Sequence, residues 1–218
     1  MKKIQLTEKV YIFDLDGTLI DSMPPAVKIV LDFLDEQGIS YPPDIVTILT
    51  PLGFKGVAKY YAEVMGVNMP AEEIIDYFSK RLNEEYFYRI PAKENAEQAL
   101  QYLREQGCRL SVLTASPHLL TDAVLKRLGL WEYFENVWTL EDLGGSKGEL
   151  SIYDKVADML AVDKSECVMV DDNLTVLKTA KAAGMKIIGV FEKSTEKECI
   201  EAEQISDGFV YNFDQFLS

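Results

Sequence analysis

Histidine is nearly absent from this chain: His118 stands alone among 218 residues. A zinc centre of clustered imidazoles finds no ligands here. Cysteine is also scarce. Cys108, Cys167 and Cys199 are odd in number and widely spaced, and the first two sit in or beside apolar stretches. That pattern predicts buried thiols rather than disulfides or metal ligands. No stretch is dense in Lys and Arg, and the formal net charge is −14. Such a surface repels a nucleic-acid backbone or an anionic membrane, so neither is expected as a partner. An anionic small molecule can still bind where a metal ion or a local lysine inverts the field. Low-complexity tracts are missing, as are charge-free apolar runs of transmembrane length and a signal-peptide core. The expectation is a soluble, cytoplasmic protein with no obligate protein partner.

What is present is a chain with 48% hydrophobic residues, enough to bury one large domain or two smaller ones. Strand-like runs at Val10–Phe13, Arg109–Leu113, Cys167–Val170 and Lys186–Val190 alternate with helical patterns, and a weaker run lies at Gly208–Tyr211. A helix is predicted from near Asn95, with Ala96, Ala99, Leu100 and Leu103 on one face. Others are marked by Ile152, Val156, Met159 and Leu160, and by Leu174, Leu177, Ala180 and Ala183. Alternation of this kind argues for a doubly wound, Rossmann-like parallel sheet, an α/β core.

The rhythm breaks once. About ninety residues without a convincing strand separate the first two runs, far more than a crossover helix needs. Three apolar stripes fill the gap: Val27, Val30, Leu31 and Leu34; then Val57, Tyr60, Tyr61 and Val64; then Ile74, Ile75, Phe78 and Leu82. An all-helical cap domain inserted at residues 23–91 is expected, with the core formed by 1–22 and 92–218. Tyr60, Tyr61, Tyr86, Phe87 and Tyr88 read as packing residues, and His118 as a helix-start residue.

The chemistry-bearing residues gather where the runs end. Asp14 and Asp16 close the first run two residues apart, on one side of an extended chain, and Asp16-Gly17 favours a sharp turn. Thr114 ends the second run, and Asp171 and Asp172 end the third. Ser146-Lys147 precedes a helix. Taken singly, Thr114, Asp171 and Asp172 read as helix caps and Lys147 as a solvated cation. Together, four carboxylates at one sheet edge repel one another unless a cation intervenes, and hard oxygen ligands suit Mg²⁺. Thr114 and Lys147 supply donors for an anion beside it. These are the parts needed to handle a phosphoryl group.

This set, in this order, resembles the haloacid dehalogenase superfamily, in particular its phosphatases with a helical cap after the first strand, such as the phosphoglycolate phosphatase and beta-phosphoglucomutase groups. Asp14-Leu15-Asp16-Gly17-Thr18 matches the first motif in full, and Thr114 the second. Lys147 leads to Ile152-Tyr153 in the register of the third, but Gly148, Leu150 and Ser151 replace two prolines and an Asp. Asp171-Asp172-Asn173 through Ala183-Gly184-Met185 keeps the spacing of the fourth, with Asn173 in place of Ser.

The resemblance implies a Mg²⁺-dependent phosphatase acting on a small phosphorylated metabolite. In that reading Asp14 is the nucleophile and Asp16 the acid and base. Thr114 and Lys147 hold the phosphoryl oxygens, with backbone N–H groups around Leu15, Gly17, Thr18, Ala115 and Ser116. The metal is held by Asp14, the Asp16 carbonyl, Asp172 and Asp171, the last directly or through water. Leu52-Gly53-Phe54-Lys55-Gly56 falls where relatives place a specificity loop, which makes Lys55 a candidate for an anionic substrate tail and Phe54 for closing the pocket.

Two alternatives stand beside this reading, a sugar-phosphate mutase and a non-catalytic phosphometabolite-binding module. Mutases of the family carry a cap motif of the form Lys-Gly-x-Ser-Arg, and here Val57-Ala58-Lys59 follows Lys55-Gly56. A binding module predicts the loss of Asp14, Asp16, Lys147 or Asp172, and all are present. Dehalogenases and phosphonate hydrolases both lack the second acid, which Asp16 supplies.

Overall fold

The computed structural model describes residues 8–49 and 52–217. Six strands form one parallel sheet in the order β3-β2-β1-β4-β5-β6. In chain order they are β1 (Val10–Phe13), β2 (Arg109–Thr114), β3 (Asn136–Thr139), β4 (Cys167–Asp171), β5 (Lys186–Val190) and β6 (Gly208–Val210). Between them run α5 (Ala96–Glu105), α6 (His118–Arg127), α7 (Leu140–Leu143), α8 (Leu150–Leu160), α9 (Leu174–Ala182) and α10 (Glu196–Ile205), numbered after four helices inserted behind β1.

β1 is central because every one of its residues is apolar and every one is buried. A strand covered on both faces reads as a continuous hydrophobic run. On one face Ile12, Leu113 and Met169 pack with Tyr153, Val156 and Leu177 of α8 and α9. On the other, Phe13 lies 6.3 Å from Phe216 and 6.4 Å from Phe134, ring centre to ring centre. The doubly wound sheet predicted from the alternation is therefore present.

β3 was not anticipated by the sequence pattern. It has four residues, two of them half-buried, and sits at the sheet edge beside β2 alone. Helix ends also differ from the stripes. Met159 and Val64 are exposed, and the buried line of α1 (Met23–Glu36) runs through Ile29, Val30, Phe33 and Leu34, leaving Val27 half-buried.

The chain divides into two compact units, residues 22–90 and the remainder. Unit 22–90 contains α1, α2 (Ile45–Leu49), α3 (Gly53–Glu63) and α4 (Ala71–Tyr88), and no strand among its described residues. Its core is aromatic: Phe33 lies 5.8 Å from Tyr61 and 5.7 Å from Phe78, and the Tyr61 hydroxyl donates to the Val30 carbonyl. The segment from Leu52 to Gly56 is not a loop. Gly53 turns the chain with a φ of 61°, and α3 begins there. Phe54 then packs 5.3 Å from Phe78 within this unit, and Lys55 is exposed on the first turn. Tyr61 and Tyr86 are buried as packing residues, whereas Tyr88 is exposed.

All three cysteines are free and buried. No helix among the described residues is long and apolar enough to cross a membrane.

Gly189 of β5 tests the packing of the sheet against its neighbours. A Cβ there would lie 2.6 Å from Cδ2 and 2.8 Å from Cε2 of the buried Phe209 ring. Gly189→Ala is expected to destabilise the fold by about 1–3 kcal/mol through overpacking, read as a lower urea midpoint at unchanged slope.

Candidate active site

The parallel register decides which side chains meet. Phe13 pairs with Val112 on one side and Val170 on the other. The Asp14 N–H extends that ladder by donating to the Val170 carbonyl at 2.9 Å. Asp14 therefore leaves β1 beside Asp171, the last residue of β4, with Thr114 ending β2 on the opposite flank. This is the carboxyl edge of the sheet between β1 and β4, where the chain reverses its winding and open α/β sheets form a crevice.

Lys147 reaches this edge from the loop between α7 and α8. Its Nζ donates to Asp14 Oδ1 at 2.5 Å and to Asp171 Oδ2 at 2.8 Å. All three residues are buried. Burial opposes the ammonium form, but the two carboxylates outweigh it and hold Lys147 above its ordinary value. It is a fixed cation at neutral pH.

Burial pushes Asp14 up to about 7, with Lys147 pulling it down and Asp171 and Asp16 pushing it further up. Asp172, half-buried, is likewise raised well above the ordinary carboxylate range, by desolvation first and then by Asp171 and Asp14. One ammonium does not compensate these acids. Asp14, Asp171 and Asp172 each offer a carboxylate oxygen, all within 4.8 Å of one another, and among the described residues they are the one such group suited to a metal ion. The donor set is entirely hard oxygen, and its uncompensated charge fits a divalent cation, which would reverse the upward shifts.

The loops around the cluster are held by short polar contacts. Gly17 turns the chain at φ 75°, and its N–H donates to the Ile20 carbonyl at 3.1 Å. Gly17 thus contributes a turn rather than the free anion-binding donor expected of it. Thr18 is fully buried beside Asp172. Its hydroxyl donates to Asp172 Oδ1 and accepts the Asp172 N–H, both at 3.1 Å, so it orients the acid. Leu15 is fully buried and Ala115 exposed. Thr114 is buried, and its Oγ1 accepts the Ser116 N–H at 3.1 Å. The Ser116 hydroxyl donates to Asp16 Oδ2 at 2.6 Å, which the sequence reading did not foresee.

Two residues shape the Lys147 loop where the family's prolines are missing. The Ser146 hydroxyl accepts the Gly148 N–H at 3.1 Å, and its carbonyl accepts the Glu149 N–H. The Tyr153 hydroxyl donates to the Lys147 carbonyl at 2.6 Å, with the Val176 carbonyl 3.3 Å away. Tyr153 was visible only as an aromatic in register. Burial raises its phenol above the ordinary value, which keeps it a donor. Asn173 caps α9 through bonds from Thr175 and Val176, while its own N–H donates to Asp171. His118 starts α6, as expected, clamped between Asp122 at 2.9 Å and Asp142 at 2.8 Å. Lys55 belongs to the helical unit.

Fold and site together bring three carboxylates and one lysine to the carboxyl edge of a parallel α/β sheet. A family model for haloacid dehalogenase-like hydrolases matches residues 11–190, and the chain belongs to that family. Pyrophosphatase PpaX of Bacillus velezensis is 28% identical over 182 residues, covering 82% of this chain and 81% of that protein. Phosphoglycolate phosphatase of Thiobacillus denitrificans is 25% identical over 197 residues, covering 87% and 86%. In fold, the chain is similar to CbbY from Rhodobacter sphaeroides, solved in complex with phosphate. The TM-score is 0.74 at 19% identity, with 95% of each chain covered. The chain is a hydrolase of the phosphatase branch.

Two outcomes follow from this geometry. A Cβ on Gly17 would lie 2.9 Å from Asp172 Oδ2, on a backbone that L residues avoid. Gly17→Ala is expected to cost about 1–2 kcal/mol of stability from its dihedral alone. Because it also displaces Asp172, it should weaken the response of the unfolding midpoint to added divalent cation. His118 is held above its ordinary value, by Asp122 first and then Asp142. A raised histidine stabilises fully below its unfolded value of about 6.5 and loses that contribution as pH rises through the folded value. The difference in urea midpoint between wild type and His118→Gln should therefore be largest below about pH 6 and shrink as pH rises beyond about 6.5.

Proposed function

We propose that this chain hydrolyses the phosphomonoester of a small metabolite with Mg²⁺ as cofactor. The observation that carries the reading is the Lys147 ammonium bound to Asp14 and Asp171, with Asp172 beside them. This contact fixes Asp14 Oδ1 and leaves the carboxylate at the crevice as a nucleophile.

In the first step an Asp14 oxygen attacks phosphorus in line, the bond from phosphorus to the ester oxygen breaks, and Asp16 gives its proton to the departing alkoxide. An aspartyl phosphate on Asp14 results. In the second step Asp16, now a carboxylate, takes a proton from water. The resulting hydroxide attacks phosphorus, releasing inorganic phosphate and the Asp14 carboxylate. Thr114 and Lys147 hold the equatorial oxygens and take up their developing charge. A divalent cation held by Asp14, Asp171, Asp172 and the Asp16 carbonyl supplies charge neutralisation between a carboxylate and a phosphate dianion.

The helical unit serves as the cap that excludes water and reads the leaving group. Exposed Lys55 is its candidate for an anionic part of the substrate. Support for a small substrate comes from relatives named for phosphoglycolate and pyrophosphate.

Phosphate release from a panel of phosphorylated metabolites, with Mg²⁺ or EDTA, tests the reading. Wild type should release phosphate only with the metal, and Asp14→Asn should lose a factor on the order of 10³ or more. A folded, metal-loaded protein that releases nothing across the panel overturns it.

A further inference from the structure

Ser116 is tied at each of its polar groups. Its N–H donates to Thr114 Oγ1 at 3.1 Å, its carbonyl accepts from the Thr121 hydroxyl at 3.2 Å, and its own hydroxyl donates to Asp16 Oδ2 at 2.6 Å. The following Pro117 adds to this. A residue before proline is kept out of the helical region, and the Pro117 carbonyl accepts two N–H groups from the first turn of α6, those of Leu120 and Thr121. The Ser116 side chain is therefore presented from a rigid corner between β2 and α6.

Asp16 sits differently. It lies past the end of β1, on a half-buried turn, outside the group formed by Asp14, Asp171 and Asp172. Lys147 pairs with Asp14 and Asp171. An aspartate on a turn has several staggered rotamers open to it, and proton transfer requires one of them. The 2.6 Å contact falls in the range of a hydroxyl donating to a carboxylate, and it spans 100 residues of sequence.

We infer that Ser116 is a positioning residue that fixes the Asp16 carboxylate for proton exchange with the leaving group and the attacking water. Its hydroxyl is committed to Asp16 rather than to a phosphate oxygen. The inference rests on the reading of Asp16 as acid and base, and the test separates the two.

Ser116→Ala, Ser116→Thr and Asp16→Asn are compared with wild type. Steady-state kinetics are combined with single-turnover transfer from an alkyl phosphate and from p-nitrophenyl phosphate, and with thermal melts. Ser116→Ala should lower kcat by about 10- to 100-fold, the scale of one hydrogen bond to a charged group, with KM held within about twofold. Ser116→Thr, which keeps the hydroxyl, should recover most of the rate. The loss in single turnover should be larger for the alkyl phosphate, because nitrophenolate departs with little help from a proton. A raised KM at unchanged kcat makes Ser116 a substrate ligand and overturns the inference, as does an equal loss with both leaving groups. If Asp16→Asn is inactive while Ser116→Ala is unaffected, the Ser116 inference alone fails. If Asp16→Asn keeps full activity, the acid–base reading of Asp16 fails, and the inference with it.

Discussion

Three buried or half-buried carboxylates converge on one sheet edge, and a single ammonium group stands among them. Lys147 bonded to Asp14 and Asp171 is the constraint around which the rest of the core is arranged. Removing one partner from such a pair strands a buried charge, a far larger cost than a surface ion pair is worth. The surrounding structure keeps the lysine from leaving. Tyr153 ties its carbonyl to the floor of the site, Ser146 tightens its loop, and two glycines at positive φ, Gly144 and Gly145, bring the chain round from α7. The charge that remains uncompensated is also what makes the cluster a place for a cation.

Much of this was legible in the chain, for physical reasons that differ by element. β1, β4 and β5 are covered on both faces, so each is built on a continuous apolar stretch, and each was read close to its bounds. β3 escaped because an edge strand needs only one neighbour and tolerates an Asn and half-buried positions. Met159 and Val64 continue an apolar stripe beyond the point where anything covers them. The family resemblance suggested a loop at Leu52–Gly56, yet Gly53 uses its left-handed freedom to launch a helix there.

The site followed the same division. Residue types and strand ends located Asp14, Thr114, Lys147, Asp171 and Asp172, because chemistry and topology both restrict those positions. Partner choice was not legible. That Thr18 serves Asp172, that the Gly17 N–H is taken by Ile20, and that Ser116 faces Asp16 depend on side-chain directions set by turns. No periodicity encodes these.

The position of β1 in the middle of the sheet has a kinetic side. It is the first strand along the chain, yet its neighbours begin at Arg109 and Cys167, with the whole helical unit between it and the nearer one. Asp14 and its lysine are separated by 133 residues. During synthesis the helical unit, contiguous in sequence, can collapse on local contacts while β1 still lacks both flanking strands. The central strand is then an unpaired apolar segment until β2 emerges, about halfway along the chain. Assembly of the reactive edge is accordingly a late event, completed only when β4 docks and brings the second half of the charge cluster with it.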